Sequence, residues 1–267
     1  MALSAPRIGN LLREWRQRRR MSQMELSFAA EVSTRHLSFV ETGRAAPSRE
    51  MVIHLAERLE IPLRERNTLL TAAGFAPLFP ERTLADPALS AARAAVEMVL
   101  AGHEPYPALA IDRHWTLIAA NQAAQRLLGG IAPELLVPPM NVIRLSIHPA
   151  GLAPRIVNFR QWRSHLLARL RHQIEVTADP LLVELMREAS NFPVPDGGAG
   201  DNASFHTEVA GIVVPLRILT DFGILSLLST TTVFGTPVDV TVSEIALETF
   251  YPMDADSSAA LHRLAEH

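Results

Sequence analysis

Helix-start and helix-stop signals follow one another so closely between residues 7 and 74 that only short helices fit between them. Ser22 precedes Glu25 by three residues, which is the spacing of a capping box. Ser33 has the side chain that an N-cap prefers, and Gly43 supplies a helix stop. The sequence therefore predicts a compact all-α segment of short helices.

Apolar spacing places five helices in this segment. The first predicted helix carries an apolar face at positions i, i+3, i+4 and i+7, which are Ile8, Leu11, Leu12 and Trp15. Pro47 and Ser48 open a fourth helix, and Pro62 suits the first turn of a fifth that ends at Gly74. Arginines close the first helix, where positive charge suits the helix dipole.

Composition limits the class of protein. The chain has 267 residues, of which 48% are hydrophobic, so a packed core is expected rather than disorder. No run of 18 residues is free of charges, and the N-terminus is too charged for a signal peptide, so no membrane association is expected. The absence of Cys rules out disulfides and thiolate metal sites and fits a cytoplasmic location.

Charge is distributed unevenly along the chain. Residues 1–82 carry 13 Arg and nine Glu, whereas residues 83–267 carry 12 Arg and 19 acidic side chains. A basic segment joined to an acidic one suggests that only the first meets a polyanion. Ordinary scatter in composition remains the alternative.

The second part of the chain follows a proline-rich linker. Pro77, Pro80 and Pro87 interrupt the sequence there. The pattern beyond them predicts an α+β domain with an antiparallel sheet flanked by helices. The predicted helices are 88–101, 121–128 and about 158–190; the predicted strands are 108–112, 116–120, 208–219, 222–234 and 238–251, with Gly223 at a hairpin turn and residues 193–204 in a loop.

The segment Ser22–Arg44 resembles the helix-turn-helix of XRE-family transcriptional regulators, and the resemblance covers about residues 7–74. Gln23 and the small Ser27 stand at matching positions, and Glu41-Thr42-Gly43-Arg44 matches the family ending E-x-G-[KR]. One position departs from the pattern: Glu31 stands where the turn usually has glycine with a positive φ, so a differently shaped turn is possible.

This resemblance implies that the helix beginning at Ser33 enters the major groove of double-stranded DNA. Thr34, Arg35 and Ser38 lie off the predicted inward face of Leu37 and Val40, and Arg35 can donate two hydrogen bonds to guanine. A merely solvated face is the alternative. The remaining DNA-binding candidates are Ser33 at the start of the helix, Phe39 for a thymine methyl group, and Gln23, Arg44, Ser48 and Arg49 for phosphates.

Residues 88–264 resemble the ligand-binding domain of MmyB-like regulators, which has a PAS-like fold. The strings that carry this resemblance are Arg35–Arg49, Pro62–Asn67, Ala72–Pro77, Asn141–Arg144 with His148-Pro149, Trp162 and Thr230–Pro237. The resemblance implies a sensor of small apolar molecules, with fatty acids among the plausible ligands.

A pocket for such a ligand would lie between the sheet and its covering helices, apolar with a few polar anchors. Each candidate could equally be a plain core residue. The candidates are Met140, His148, Phe159, Trp162, Leu166, Phe205, Val213 and Leu227.

Sequence motifs for other chemistry are absent. The ten His residues show no metal-binding spacing, and no nucleophile elbow, phosphate-binding loop or dinucleotide fingerprint occurs. Gly197–Gly200 lies in a polar loop, and Asn202-Ala203-Ser204 matches a glycosylation sequon that a chain without an export signal would not use. We therefore expect no cofactor, no metal and no enzymatic activity.

These observations predict a regulator with three parts: a DNA-binding domain at 1–76, a linker at 77–87 and a ligand-binding and dimerisation domain at 88–267. A homodimer on a palindromic operator is the natural arrangement for one helix-turn-helix per chain. One alternative is a DNA-binding protein without a ligand, whose second domain only dimerises or binds a protein partner. An enzyme with a regulatory DNA-binding module and an antitoxin-like protein are further alternatives.

Overall fold

The computed structural model describes residues 8–195, 214–235 and 237–266. The described chain divides into two compact units. The first unit comprises residues 8–83 with 175–177 and 237–243, and the second comprises the rest. No helix of the described residues is long and apolar enough to cross a lipid bilayer.

Five short helices build residues 8–74 of the first unit, as predicted. Their buried side chains form one core, whose largest members include Leu12, Leu26, Leu37, Leu55 and Leu69. The helices are α1 (Ile8–Arg18), α2 (Gln23–Ala29), α3 (Thr34–Glu41), α4 (Arg49–Arg58) and α5 (Leu63–Ala72).

Serine side chains begin three of these helices, which confirms the predicted caps. The Ser22 hydroxyl accepts a hydrogen bond from the Glu25 amide at 3.1 Å, and the Glu25 carboxylate accepts one from the Ser22 amide at 2.6 Å. Ser33 and Ser48 cap α3 and α4 in the same way, at 3.1 and 3.2 Å. Each cap satisfies a backbone donor that the helix itself leaves unpaired.

The turn between α2 and α3 keeps the left-handed residue that the XRE pattern requires. Glu31 has a φ of +52°, so a side chain occupies a conformation that glycine adopts more easily. The Val32 amide then reaches back to the Ser27 carbonyl at 2.9 Å and closes the end of α2. The substitution of glycine by Glu31 has therefore not removed the left-handed turn.

The second unit is an antiparallel five-stranded sheet with helices on both faces, which confirms the predicted α+β class and its PAS-like arrangement. The strand order is β2-β1-β5-β4-β3. The strands are β1 (Ala108–Ile111), β2 (Leu117–Ala120), β3 (Leu216–Thr220), β4 (Gly223–Val233) and β5 (Ala246–Pro252). Gly223, with a φ of +109°, begins β4 at the predicted hairpin turn.

Alternation along the strands separates two cores. Ala108, Ala110 and Leu247 pack with α6, whereas Ile111 and Leu227 belong to the larger core under the other helices. The remaining helices are α6 (Ser90–Gly102), α7 (Gln122–Leu127), α8 (Val142–Ile147), α9 (Phe159–Thr177), α10 (Pro180–Ser190), α11 (Val240–Ser243) and α12 (Ala255–Glu266), of which α11 belongs to the first unit.

Several predicted boundaries were wrong for local reasons. The last strand begins at Ala246 and not at Val238, because the Asp239 carboxylate accepts a hydrogen bond from the Thr241 amide and starts α11. The long helical region is divided at Ala178, whose φ is +57°. Helices α8 and α12 were not predicted.

Part of one predicted strand lies outside the described residues. The pattern indicated a strand at 208–219, and β3 spans Leu216–Thr220, while 208–213 are not described. Most of the predicted loop at 193–204, with Gly197–Gly200 and the sequon at Asn202, is also outside them. The predicted linker begins close to α5, since the Asn67 carboxamide oxygen accepts hydrogen bonds from the amides of Leu78 and Phe79, each at 3.0 Å.

Gly9 allows α1 to approach the end of α3 closely, which generates a stability prediction. A Cβ atom at this position would lie 2.4 Å from the Val40 carbonyl oxygen and 2.6 Å from that of Glu41. Because both obstacles are backbone atoms, we expect Gly9→Ala to destabilise the first unit by about 1–3 kcal/mol. Hydrogen exchange of the α1 and α3 amides measures the loss. The exposed Gln17→Ala in the same helix serves as the control, and equal protection in both variants would contradict the prediction.

Candidate nucleic-acid interface and candidate ligand cavity

Helix α3 presents one face to the core and another to solvent. Leu37 and Val40 are buried, as their spacing predicts, whereas Ser33, Thr34 and Arg35 are exposed at the beginning of the helix. Ser38 and Phe39 lie between these faces and are half-buried. The side chains predicted to meet base edges therefore lie on or at the border of the accessible face.

Two arginines flank Phe39 on this face. The guanidinium carbon of Arg35 lies 5.4 Å from the Phe39 ring centroid, and that of Arg44 lies 6.0 Å from it. Both arginines are exposed, and neither forms a salt bridge with a carboxylate in the described part of the chain. Two uncompensated positive charges held against one aromatic ring favour an anionic partner.

The Thr34 hydroxyl is used within the protein. It lies 2.8 Å from the hydroxyl of the buried Ser27, which itself donates a hydrogen bond to the Met24 carbonyl at 2.8 Å. Since the hydroxyl hydrogen of Ser27 is donated to that carbonyl, Thr34 is the donor in its hydrogen bond with Ser27. The bond connects α2 to the beginning of α3 and leaves the Thr34 oxygen as an acceptor only.

Gln23 is also held internally, by a carboxylate that the sequence analysis did not single out as a site residue. The Gln23 carboxamide donates a hydrogen bond to Glu41 at 2.7 Å. Arg16 donates two more, from Nε at 2.7 Å and from Nη2 at 2.9 Å, so one buried carboxylate joins α1, α2 and α3. The signal for Arg16 is its spacing, because it follows Leu12 and Trp15 on the inward side of α1.

The beginning of α4 carries the last two predicted DNA contacts. Ser48 is exposed and its oxygen caps α4, while Arg49 is half-buried in the first turn of that helix. The Ser48 hydroxyl also bonds the Glu50 carboxylate, so a phosphate oxygen would have to replace Glu50 as the acceptor of its hydrogen. These residues remain predicted contacts.

The second unit contains an apolar cavity of about 90 Å³ between the sheet and helices α7, α8 and α9. Strands β1 to β5 all contribute to its wall. The lining residues are Pro107, Leu109, Trp115, Leu117, Ala120, Ala124, Leu127, Leu128, Val142, Leu145, Ser146, Leu152, Trp162, Leu166, Arg169, Leu216, Leu227, Glu248 and Phe250.

Three of the predicted ligand-binding residues line this cavity, namely Trp162, Leu166 and Leu227. Phe159 is buried in the same core without lining the cavity, and Met140 and His148 are half-buried elsewhere in the unit. The His148 ring instead meets Phe192 edge to face, with centroids 4.8 Å apart. The other two candidates, Phe205 and Val213, lie outside the described residues.

Two tryptophans in the cavity wall are fixed by hydrogen bonds. The indole of Trp162 donates to the Ser146 hydroxyl at 2.9 Å, and that of Trp115 donates to the Gln173 side chain at 2.8 Å. Trp115 has a φ of +64°, and its side chain is buried in the core rather than exposed in the turn. Rigid aromatic walls of this kind suit a small-molecule site.

One ion pair lies in the otherwise apolar wall. Arg169 of α9 donates from Nη2 to the buried Glu248 of β5 at 2.5 Å and from Nη1 at 3.1 Å. Neither residue was predicted as a site residue from the sequence. Their spacing is informative: Arg169 follows Trp162 and Leu166 on one face of α9, and Glu248 stands between the inward Ala246 and Phe250 of β5.

The described ranges contain no cluster of three or more His, Asp or Glu side chains able to hold a metal ion. His114 lies 2.9 Å from the Asp179 carboxylate, which Arg113 also contacts. Burial opposes ionisation of Asp179, but hydrogen bonds from His114 and the Leu181 amide and the charge of Arg113 outweigh it and lower its pKa. This cluster ties the beginning of α10 to the β1–β2 turn.

The Glu41 carboxylate generates a pH prediction. Burial opposes its ionisation, but hydrogen bonds from Arg16 and Gln23 and the charges of Arg16 and Arg13 bring its pKa below the ordinary value of 4.5. A carboxylate with a lowered pKa in the folded state stabilises the fold above the unfolded-state pKa, and this stabilisation is lost as the pH falls through the folded-state pKa. The first unit should therefore lose stability below a pH of about 4.5.

We expect Glu41→Gln to cost the first unit about 3 kcal/mol or more at neutral pH, since it leaves Arg16 without its buried counter-charge. The variant should also show a weaker loss of stability in acid. Hydrogen exchange of α1 to α3 at several pH values measures both effects. The exposed Glu14→Gln is the control, and an unchanged acid response in Glu41→Gln would show that another group titrates.

Comparison with known proteins identifies the two parts of the chain. A family described as "MmyB-like transcription regulator ligand binding domain" matches residues 92–264, and one described as "Helix-turn-helix domain" matches residues 7–69. No curated protein sequence matches the chain.

One solved structure, described as "Structure of an RNA-binding Light-Oxygen-Voltage Receptor", shares 16% sequence identity with the chain. The match covers 97% of this chain and 64% of that one, so the chain spans less than two thirds of that protein's length. The TM-score of the match is 0.25, which is too low to indicate a shared fold. The family match extends over more than half of the sequence and confirms the resemblance inferred from the motifs. The chain belongs to the family of MmyB-like transcription regulators and carries a helix-turn-helix domain at its N-terminal end.

Proposed function

We propose that this protein is a sequence-specific DNA-binding regulator whose activity is controlled by a small apolar ligand bound in its second domain. The observation that carries the DNA-binding half is the exposed face of α3, where Arg35 and Arg44 flank Phe39 without a described carboxylate to neutralise them. In this proposal the DNA-binding domain spans 1–76, the linker 77–87 and the ligand-binding domain 88–267.

The proposed roles follow from where each side chain lies and from the hydrogen bonds that it already makes. Arg35 has a free guanidinium at the leading end of α3, so it is the residue that reads a guanine through O6 and N7. Ser38 and Phe39 meet the neighbouring base edges. Gln23, Arg44, Ser48 and Arg49 hold phosphates and set the orientation of the helix, while Ser33 and Thr34 begin the helix and fix its position.

A homodimer on a palindromic double-stranded operator completes the proposal. One copy of α3 reads one half-site, and half-sites about one helical turn apart place two copies on the same side of the duplex. The second contact then becomes intramolecular, which raises the affinity without any new interaction. The chain itself supplies one helix-turn-helix, so the second comes from another copy.

The ligand half of the proposal rests on the cavity in the second unit. An apolar ligand that controls DNA binding must bind two conformations of the protein unequally. The cavity of about 90 Å³ is smaller than the 300 Å³ or so of a typical ligand site, so a chain-like ligand such as a fatty acid requires the lining side chains to move apart. A ligand-controlled regulator needs such a coupling between ligand entry into the cavity and movement of the side chains that line it.

The small cavity also favours the second candidate function, a DNA-binding protein whose second domain only dimerises or binds a protein partner. A core that stays closed in every condition would support that function. The two candidates differ in whether apolar molecules bind, which a direct mass measurement decides.

The first test concerns Arg35. We expect Arg35→Ala to weaken binding to a selected operator by about 1–3 kcal/mol and to relax the preference at one base position. Fluorescence anisotropy with an operator selected from genomic fragments measures the change. Arg58→Ala removes the same charge from the exposed end of α4 and is the matched control. An equal loss on random DNA would show that Arg35 holds a phosphate instead.

The second test concerns occupancy of the cavity. Native mass spectrometry of protein purified without added ligand should detect a bound apolar molecule. Ala120→Phe fills the cavity from the edge strand β2 and should abolish that additional mass, whereas Ala91→Phe at an exposed position of α6 should retain it. Protein that is empty and takes up nothing from a lipid extract would support the ligand-independent function.

A further inference from the structure

Arg169 and Glu248 are the only charged side chains that line the cavity in the described part of the chain. They lie on opposite walls, one on α9 and one on β5, and they face each other. The charge of this wall therefore depends on how completely the two side chains neutralise one another.

Thr231 forms hydrogen bonds with both members of the ion pair. Both Arg169 terminal nitrogens donate to Glu248, whose side chain is only 4% exposed. The Thr231 hydroxyl accepts from Arg169 Nη2 at 3.0 Å and donates to Glu248 Oε1 at 2.9 Å. Arg169 also lies over the Trp115 ring, 4.9 Å from its centroid. Three side chains thus satisfy one another in a ring of hydrogen bonds with no net charge.

The neighbouring titratable group adds no positive charge. His165 stacks on Trp162, with ring centroids 5.4 Å apart. Burial lowers the pKa of His165, and the positive charge of Arg169 lowers it further, while Glu248 opposes the shift. His165 is therefore neutral at pH 7 and offers no counter-charge to an anion near the cavity.

The cavity does offer one neutral hydrogen-bond donor. Ser146 is 8% exposed and accepts a hydrogen bond from the Trp162 indole. Within the described residues its own hydroxyl hydrogen has no acceptor, so an oxygen atom of a ligand can take that place. An ester, ketone, ether or alcohol oxygen meets this requirement without carrying a charge.

We propose that the cavity selects uncharged apolar molecules that carry a hydrogen-bond acceptor, and that it discriminates against the free carboxylates of the same chain length. This inference rests on the proposed ligand-binding function and narrows the fatty-acid-like ligand proposed there to an uncharged derivative such as an ester. An entering carboxylate would either remain unpaired in an apolar wall or displace Glu248 from Arg169, which leaves the buried Glu248 unpaired instead. An uncharged ligand disturbs neither charge.

Matched pairs of probes test the selectivity. Hexanoate, decanoate and tetradecanoate are each compared with their own methyl esters, below their micelle concentrations and well above the pKa of a carboxyl group. Calorimetry or displacement of a fluorescent lipid measures the dissociation constants. For the best-fitting chain length we expect the ester to bind at least about ten-fold more tightly than the acid, which corresponds to about 1.4 kcal/mol.

Glu248→Gln changes the net charge of the cavity wall from zero to positive, with little change in the shape of the side chain. Arg169 is about a quarter exposed, so water can solvate it when the carboxylate is removed. We expect this variant to bind the free acid at least about ten-fold more tightly than the wild type does, with a much smaller change for the ester. Glu97→Gln, on the exposed surface of α6, is the matched control and should keep the wild-type preference.

These titrations distinguish a failure of the inference about charge from a failure of the proposed ligand-binding function. If the wild type binds a free acid as tightly as its ester, the inference about charge is overturned while the ligand-binding function stands. If neither probe of any length binds the wild type or Glu248→Gln, the ligand-binding function fails and the inference fails with it. If Glu248→Gln does not fold, the comparison of acid and ester in the wild type still decides the question.

Discussion

The buried carboxylate of Glu41 determines the geometry on which the first unit depends. It accepts two hydrogen bonds from Arg16 and one from Gln23, so the end of α3 is tied to α1 and α2 at a single point. An ion pair this deeply buried loses much of its Coulombic gain to desolvation, and its net contribution to stability can be small. Its value lies in specifying one orientation of α3, because any other orientation leaves a buried charge unpaired.

The second unit uses a buried Arg–Glu pair for another purpose. Arg169 and Glu248 lie in the wall of a cavity and neutralise one another there, with Thr231 completing the ring of hydrogen bonds. In the first unit the ion pair fixes the orientation of α3. In the second it removes free charge from an apolar wall. The same chemistry thus orients a helix in one place and neutralises an apolar wall in the other.

Local signals allowed much of the fold to be predicted. The caps at Ser22, Ser33 and Ser48 and the stop at Gly43 depend on neighbours three residues away, so the sequence alone contains the whole interaction. Helix α8 was not predicted because a six-residue helix has no long apolar period, and α12 was not predicted because its cap at Asp254 was overlooked. The boundary error at β5 has the same origin, since the cap at Asp239 was overlooked.

The candidate sites were harder to predict because their partners are distant in sequence. Spacing placed Leu37 and Val40 inward and Arg35 outward on α3, and three of the predicted ligand residues line the cavity. No local pattern pairs Arg16 with Glu41, which is 25 residues away, or Arg169 with Glu248, which is 79 residues away. A charged residue on an otherwise apolar face is the signal that such a partner exists, but the fold decides which residue it is.

Guanine methylation interference on a genomic fragment that the protein selects tests the central claim most directly. Methylation at N7 modifies the major groove only, at the atom that an α3 arginine would contact. The account predicts that methylation of guanines in two half-sites about one helical turn apart prevents binding. Binding that is insensitive to every N7 methylation, but is lost when minor-groove adenine N3 is methylated, would contradict a reading helix in the major groove.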